Sequence, residues 1–204
     1  MKANPHKIAL INKKYITLED VIIFVTCLEV KMSNNIVYTI GHGNLELPEF
    51  LRLLKKYDIE VLVDVRSVPL SKYVPQYNVK NIREELKKAG IEYVFLEDEH
   101  IGNLLGGRPK VEDCYDDNGQ IIYSEVMQKA WYQEGLSRLI DIAKIRKTVI
   151  MCSEEDPNRC HRHRLITQTL LSNGMGVFHI RKNGIVEKAK NEKIQMALTQ
   201  YGGL

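Results

Sequence analysis

Five short runs of β-branched and aliphatic residues recur between residues 35 and 180, each followed by a stretch whose apolar residues fall at helical spacing. No other feature constrains the fold as much. The runs occupy residues 36–40, 60–65, 91–96, 147–152 and 176–180. They do not alternate apolar with polar, so both faces of each strand need cover. Between them, residues 47–57 place Leu47, Phe50, Leu51 and Leu54 on one helical face. Residues 79–89 do the same with Ile82, Leu86 and Ala89, and Gly90 supplies a stop. Residues 122–144 read as one long helix, 160–171 as another and 189–198 as a last one, while 181–186 read as a turn and a short strand. This order predicts an α/β fold: a mostly parallel sheet with helices on both faces, in three layers.

Residues 1–34 read differently. They carry one amphipathic piece, 18–30, with no evident partner, and Met32-Ser33-Asn34-Asn35 resembles an ordinary protein start. We expect an N-terminal extension over 1–34 and a single α/β domain over 35–204; an extra strand or helix on the domain edge is the alternative. The longest apolar run, 21–27 (VIIFVTC), falls far short of the ~20 residues that span a bilayer, so no membrane partner is expected. With 44% hydrophobic and 27% charged residues the chain has ordinary globular usage. Four cysteines, Cys27, Cys114, Cys152 and Cys160, follow no recognisable secretory signal, which predicts free thiols in the cytoplasm. A net charge of +3 permits a nucleic-acid partner without arguing for one. The oligomeric state is not legible.

In open parallel sheets ligands bind at the carboxyl ends of the strands. Four reactive segments fall at such ends. Gly41-His42-Gly43 follows the first strand, Asp64-Val65-Arg66-Ser67-Val68-Pro69 the second, and Glu97 to Arg108 the third. The fourth is followed by Cys152-Ser153-Glu154-Glu155-Asp156-Pro157-Asn158-Arg159-Cys160-His161-Arg162-His163-Arg164. Asp156 or Asn158 suits a helix N-cap, with Pro157 in the first turn. A helix N-terminus there favours a thiolate and an anion. Glu154, Glu155 and Asp156 would oppose both unless they turn away. A cysteine-phosphatase or rhodanese-type loop would be glycine-rich and basic at this point.

The leading expectation is an enzyme acting on an anionic, phosphate-containing or nucleic-acid substrate. Cys152 would be nucleophile or ligand and Glu154 an acid/base, with His42 and His161 moving protons and Asp64 in the catalytic set. Arg66, Arg108, Arg159 and Arg162 would hold the anion. The bland readings are a packed cysteine, an Asp64–Arg66 pair that fixes a loop, and a plain turn at Gly106-Gly107-Arg108-Pro109 rather than a lid. Tyr73 and Tyr77 read as tyrosines packed under a solvent-facing loop rather than a stacking platform. No cofactor is predicted. Zinc on Cys152, Cys160, His161 and His163 is the alternative, but seven residues separate the cysteines, against about two to four in structural zinc knuckles. A non-catalytic nucleic-acid or nucleotide-binding module and a metal-stabilised interaction domain are the other classes of function.

Tyr38-Thr39-Ile40-Gly41-His42, Val63-Asp64-Val65-Arg66 with Pro69 and Ser71, Leu105-Gly106-Gly107, and Met151-Cys152-Ser153-Glu154 with Pro157 and Cys160-His161-Arg162 occur in this order. Together they resemble the domain-of-unknown-function family 488 (DUF488), over about residues 35–180. The family usually carries Ser after the His of the first motif, where this chain has Gly43 and so no hydroxyl. The resemblance implies an uncharacterised α/β protein with an enzyme-like set of Cys, His, Arg and Asp residues, and it names no reaction.

Overall fold

The computed structural model describes residues 35–192. The expected extension over 1–34, Cys27 and the expected last helix from residue 193 onward lie outside the described residues.

Each apolar run becomes a strand. β1 (Ile36–Gly41) leads to α1 (Leu47–Lys56), which has Pro48 and Glu49 in its first turn and Lys55 and Lys56 in its last, matching the helix dipole at both ends. β2 (Val61–Asp64) leads to α2 (Val79–Lys88), and the chain turns out of that helix at Gly90 with φ +76°, where a side chain would be strained. β3 (Glu92–Val94) follows, then a two-residue hairpin of β4 (Glu97–Asp98) and β5 (Gly102–Asn103). The long helix expected over 122–144 is two helices, α3 (Tyr123–Val126) and α4 (Ala130–Ile145). Lys129 between them is extended, its ammonium held by Asp113 at 2.6 Å, and Gln133 reaches back to the Met127 carbonyl. Local side-chain bonding thus ends one helix and starts another with neither Gly nor Pro at the break. β6 (Thr148–Cys152) precedes the helix expected over 160–171. That helix opens as a π-type segment, Arg162–Thr167, where the Thr167 hydroxyl bonds the Arg162 carbonyl at 2.7 Å, and continues as α5 (Gln168–Ser172). β7 (Gly176–Ile180) and β8 (Val186–Lys188) close the sheet as a hairpin.

The sheet order is β3-β2-β6-β1-β7-β8, parallel throughout except for β8. One face carries Val61, Val63, Ile150 and Val177 against Leu136 and Leu139 of α4 and Leu165, Ile166 and Leu170 from the helix after β6. The other carries Ile40, Leu62, Val149 and Met151 against Phe50, Leu53 and Leu54 of α1 and Ile82 and Leu86 of α2. The α/β fold is therefore three-layered. Each of these aliphatic side chains is wholly or almost wholly buried, worth roughly 1.5–3 kcal/mol apiece. Among the described residues no helix is long and apolar enough to cross a membrane.

Topology now fixes where a ligand can enter. After β2 the chain runs to α2 on one face; after the adjacent β6 it runs to the opposite face. Loops that part in this way leave a crevice between them. On the other side of β6 the crevice is sealed. His42 and Gly43 donate backbone N–H groups to the carbonyls of Cys152 (3.0 Å) and Ser153 (2.8 Å).

Candidate functional site

The open side of β6 is a cleft of about 380 Å³, lined from three loops and by Tyr123 at the start of α3. The β2 loop gives Arg66, Ser67 and Val68. The stretch after β4 gives Ile101, Asn103, Gly107, Arg108 and Lys110. The β6 loop gives Cys152, Glu154, Arg159, Cys160 and His161.

At its floor four groups converge. Register sets Cys152 level with Gly41 at the end of the sheet. A 3-10 turn, Pro157–Arg159, capped by the Asp156 carboxylate on the Asn158 N–H at 3.0 Å, folds the chain back and returns Cys160 to the side of Cys152. Both thiols donate to one carboxylate oxygen, Glu154 Oε2, from 3.1 Å (Cys152) and 3.3 Å (Cys160). His161 Nδ1 stands 3.8 Å from each sulfur. Its Nε2 lies 2.9 Å from the Val65 carbonyl oxygen. A carbonyl only accepts, so Nε2 carries the hydrogen and Nδ1 keeps its lone pair towards the sulfurs. A bond to the Cys152 sulfur, then burial, pushes the Cys160 thiol up. Burial works against ionisation of Glu154, but hydrogen bonds from Cys152, its own backbone and Cys160 outweigh it, and its carboxyl lies below the usual glutamate range.

The acidic run raised in the sequence divides three ways. Only Glu154 stays at the sulfurs. Glu155 turns to Arg181, accepting from Nε at 3.1 Å and Nη2 at 3.0 Å, and that bonding holds its carboxyl low. Asp156 is spent as the cap. Cations then dominate the cleft walls: Arg66, Arg108, Lys110 and Arg159, against the single carboxylate of Glu154. Such a wall attracts an anion.

Three expected site residues sit behind the cleft wall. Asp64 is fully buried, with Arg66 Nε and Nη2 and the Tyr93 hydroxyl on its two oxygens at 2.6–3.1 Å. It orients Arg66, whose Nη2 also donates to the Tyr77 carbonyl at 2.8 Å. Arg162, 1% exposed, donates Nη1 to the Glu154 carbonyl and Nη2 to that of Glu155 at 2.6 Å. Its guanidinium ties down the β6 loop from beneath instead of meeting a ligand. His42 stacks on Tyr77 with ring centres 4.1 Å apart and donates Nδ1–H to the Gly43 carbonyl; burial brings it down to about 4. His163, the outlying member of the zinc alternative, instead bonds His179 at 3.0 Å.

The DUF488 pattern, described as a domain of unknown function, matches residues 46–169, more than half of the chain, and spans the β2 loop, the Gly106-Gly107 turn and the whole β6 loop. The chain belongs to the DUF488 family. No curated protein and no solved structure matches it.

Packing explains why this DUF488 chain has glycine at two points beside the β6 loop. A Cβ on Gly41 would lie 1.8 Å from the Glu154 carbonyl oxygen, because the β6 loop crosses directly over the end of β1. A Cβ on Gly107 would lie 2.6 Å from the His161 ring. Gly43, where the family usually has Ser, adopts φ +52°, a left-handed backbone that suits glycine. The segment expected as a loop over 97–120 is anchored: Leu104 and Leu105 enter the core, and Asn103 Nδ2 donates to the carbonyls of Asp64 (2.8 Å) and Arg66 (3.0 Å). Sequence reasoning missed Asn103, Lys110 and Tyr123 as wall residues. Lys110 had a signal, two residues after Arg108 in a Gly-Gly-Arg-Pro-Lys run; a lone Asn and a lone Tyr had none. Of the two loop tyrosines, Tyr77 is buried and Tyr73 is 96% exposed.

Proposed function

We propose that this DUF488 protein is an enzyme acting on an anionic, phosphate-bearing substrate, with Cys152, His161 and Glu154 as its reacting centre. One observation carries the reading: a thiol, an imidazole of fixed tautomer and a carboxylate share the floor of a cleft whose walls carry four cations. The cleft volume of about 380 Å³ fits a ligand the size of a nucleotide or small metabolite. Arg66, Arg108, Lys110 and Arg159 hold the anion, and Asp64 keeps Arg66 aimed. His161 Nδ1 receives the Cys152 proton, so a thiolate faces the bound anion. Glu154, open to the cleft beside both sulfurs, moves protons at the reacting atom.

Calorimetric titration with pyrophosphate and with a short single-stranded oligonucleotide tests the anion site. Binding should weaken as salt rises, and Arg159→Ala should lower affinity roughly tenfold, about 1.4 kcal/mol. A panel of chromogenic phosphate esters tests turnover. Cys152→Ala should lose it by about 10³-fold while the melting temperature stays within a few degrees. An unfolded Cys152→Ala protein would point to a packing role; a folded wild-type protein that neither binds pyrophosphate nor turns over any phosphate ester would sink the proposal.

A further inference from the structure

We infer that Cys152, Cys160, His161 and Glu154 together form a zinc-binding site at the floor of the cleft. The inference rests on reading this cluster as a reacting centre; with the ion bound, Cys152 and His161 Nδ1 would act as its ligands in place of the proton transfer between them.

Geometry comes first. Cys152 Sγ, Cys160 Sγ and His161 Nδ1 lie within 4.8 Å of one another. Glu154 Oε2, outside that group of three, lies 3.1 Å and 3.3 Å from the sulfurs, and Nδ1 is 3.8 Å from each. Zinc bonds of about 2.3 Å to sulfur and about 2.0 Å to nitrogen or oxygen, at tetrahedral angles, set donor separations of about 3.4–3.8 Å. Shifts of a few tenths of an ångström would therefore seat an ion on the two sulfurs and Nδ1, and a turn of the Glu154 side chain would bring in the fourth donor. Two sulfurs, one imidazole nitrogen and one carboxylate oxygen are a set that favours zinc over calcium or magnesium, which prefer oxygen.

The surroundings are those of a prepared site. His161 donates Nε2–H to the Val65 carbonyl, which orients the ring and leaves Nδ1 to ligate. The Arg162 backbone N–H points at Cys160 Sγ from 3.5 Å. Gly107 lets the loop lie against the imidazole where a Cβ would collide. The seven-residue gap between the cysteines, unsuited to a zinc knuckle, is taken up by the 3-10 turn, so spacing no longer speaks against a metal. Because the cluster lines the cleft, the ion would face the substrate, and Glu154, exposed there, is the ligand a substrate anion would displace.

Two measurements on the full chain test this. The protein as purified, without a metal-affinity tag, should carry a stoichiometric zinc ion by elemental mass spectrometry. Chelator-stripped protein titrated with cobalt should develop thiolate-to-metal charge-transfer absorption. Cys160→Ser and His161→Ala should weaken cobalt binding by about a hundredfold or more, whereas Cys114→Ser, not one of the grouped donors, should not. A folded wild-type chain with neither zinc nor a charge-transfer band overturns the inference, whatever the variants do. If that chain still binds pyrophosphate through Arg159, only the zinc falls. Metal held without any phosphate binding would leave the ion and remove the proposed function.

Discussion

Arg162 joins the helix after β6 to the loop before it, and the consequence is measurable. Its guanidinium is buried and bonds the carbonyls of Glu154 and Glu155, while its backbone N–H meets Cys160. Replacing it with Met would remove the donor from the Glu154 and Glu155 carbonyls, each loss costing about 1–3 kcal/mol where water does not take its place. We expect Arg162→Met to lose roughly 3 kcal/mol of stability in urea titration and to speed Cys152 alkylation as the loop loosens. Unchanged stability would show that water serves these carbonyls equally well. From sequence, Arg162 looked like one more anion contact because it lies among Arg159, His161 and Arg164. Composition cannot say which cation of such a run points inward; only the packing of the helix it starts decides that. Asp64 was half legible, since a carboxylate two residues before an arginine at a strand end can pair with it, as here.

Among the elements, strands read more easily than helices. Short apolar runs bounded by turn residues favour strands, and among the described residues each of the five became one. The break between α3 and α4 left no mark because it depends on Asp113, sixteen positions earlier, holding Lys129. The π-type opening of the helix after β6 was invisible for a similar reason: threonines that bond upstream carbonyls look like ordinary helix residues in sequence. In sequence the Gly106-Gly107 segment reads as a plain turn or a lid; in the structure it packs against the imidazole, which is neither. Gly107→Ala should therefore displace His161, lower the melting temperature by several degrees and depress turnover more than Gly119→Ala, whose surroundings are open. Equal losses of turnover from the two substitutions would count against a packing role for Gly107. Gly119 has φ +72°, so its own strain provides a demanding comparison.

At the scale of the whole molecule, buried imidazoles tie stability to acidity. Burial brings His42 from 6.5 to about 4 and, together with His163 and Arg162 nearby, His179 to about 3. The unfolded chain takes up these protons near 6.5, the folded one only well below it. Stability is therefore complete above pH 6.5 and declines as pH falls towards 4 and then 3. At about 1.4 kcal/mol per unit of displacement, the loss by pH 4 should reach several kcal/mol. Urea unfolding across this range checks it, and His179→Gln should flatten the slope; a flat wild-type profile would refute the assignment. The division of labour between loops has a wider consequence. The thiols, the imidazole and the arginine that braces them all come from eleven consecutive residues, 152–162, while much of the cationic wall comes from 66–68 and 101–110. On the proposed function, exchanging the wall cations Arg66, Arg108 and Lys110 would change which anion is favoured while leaving the thiols and imidazole of 152–162 in place, whereas a side chain at Gly107 would reach the imidazole itself.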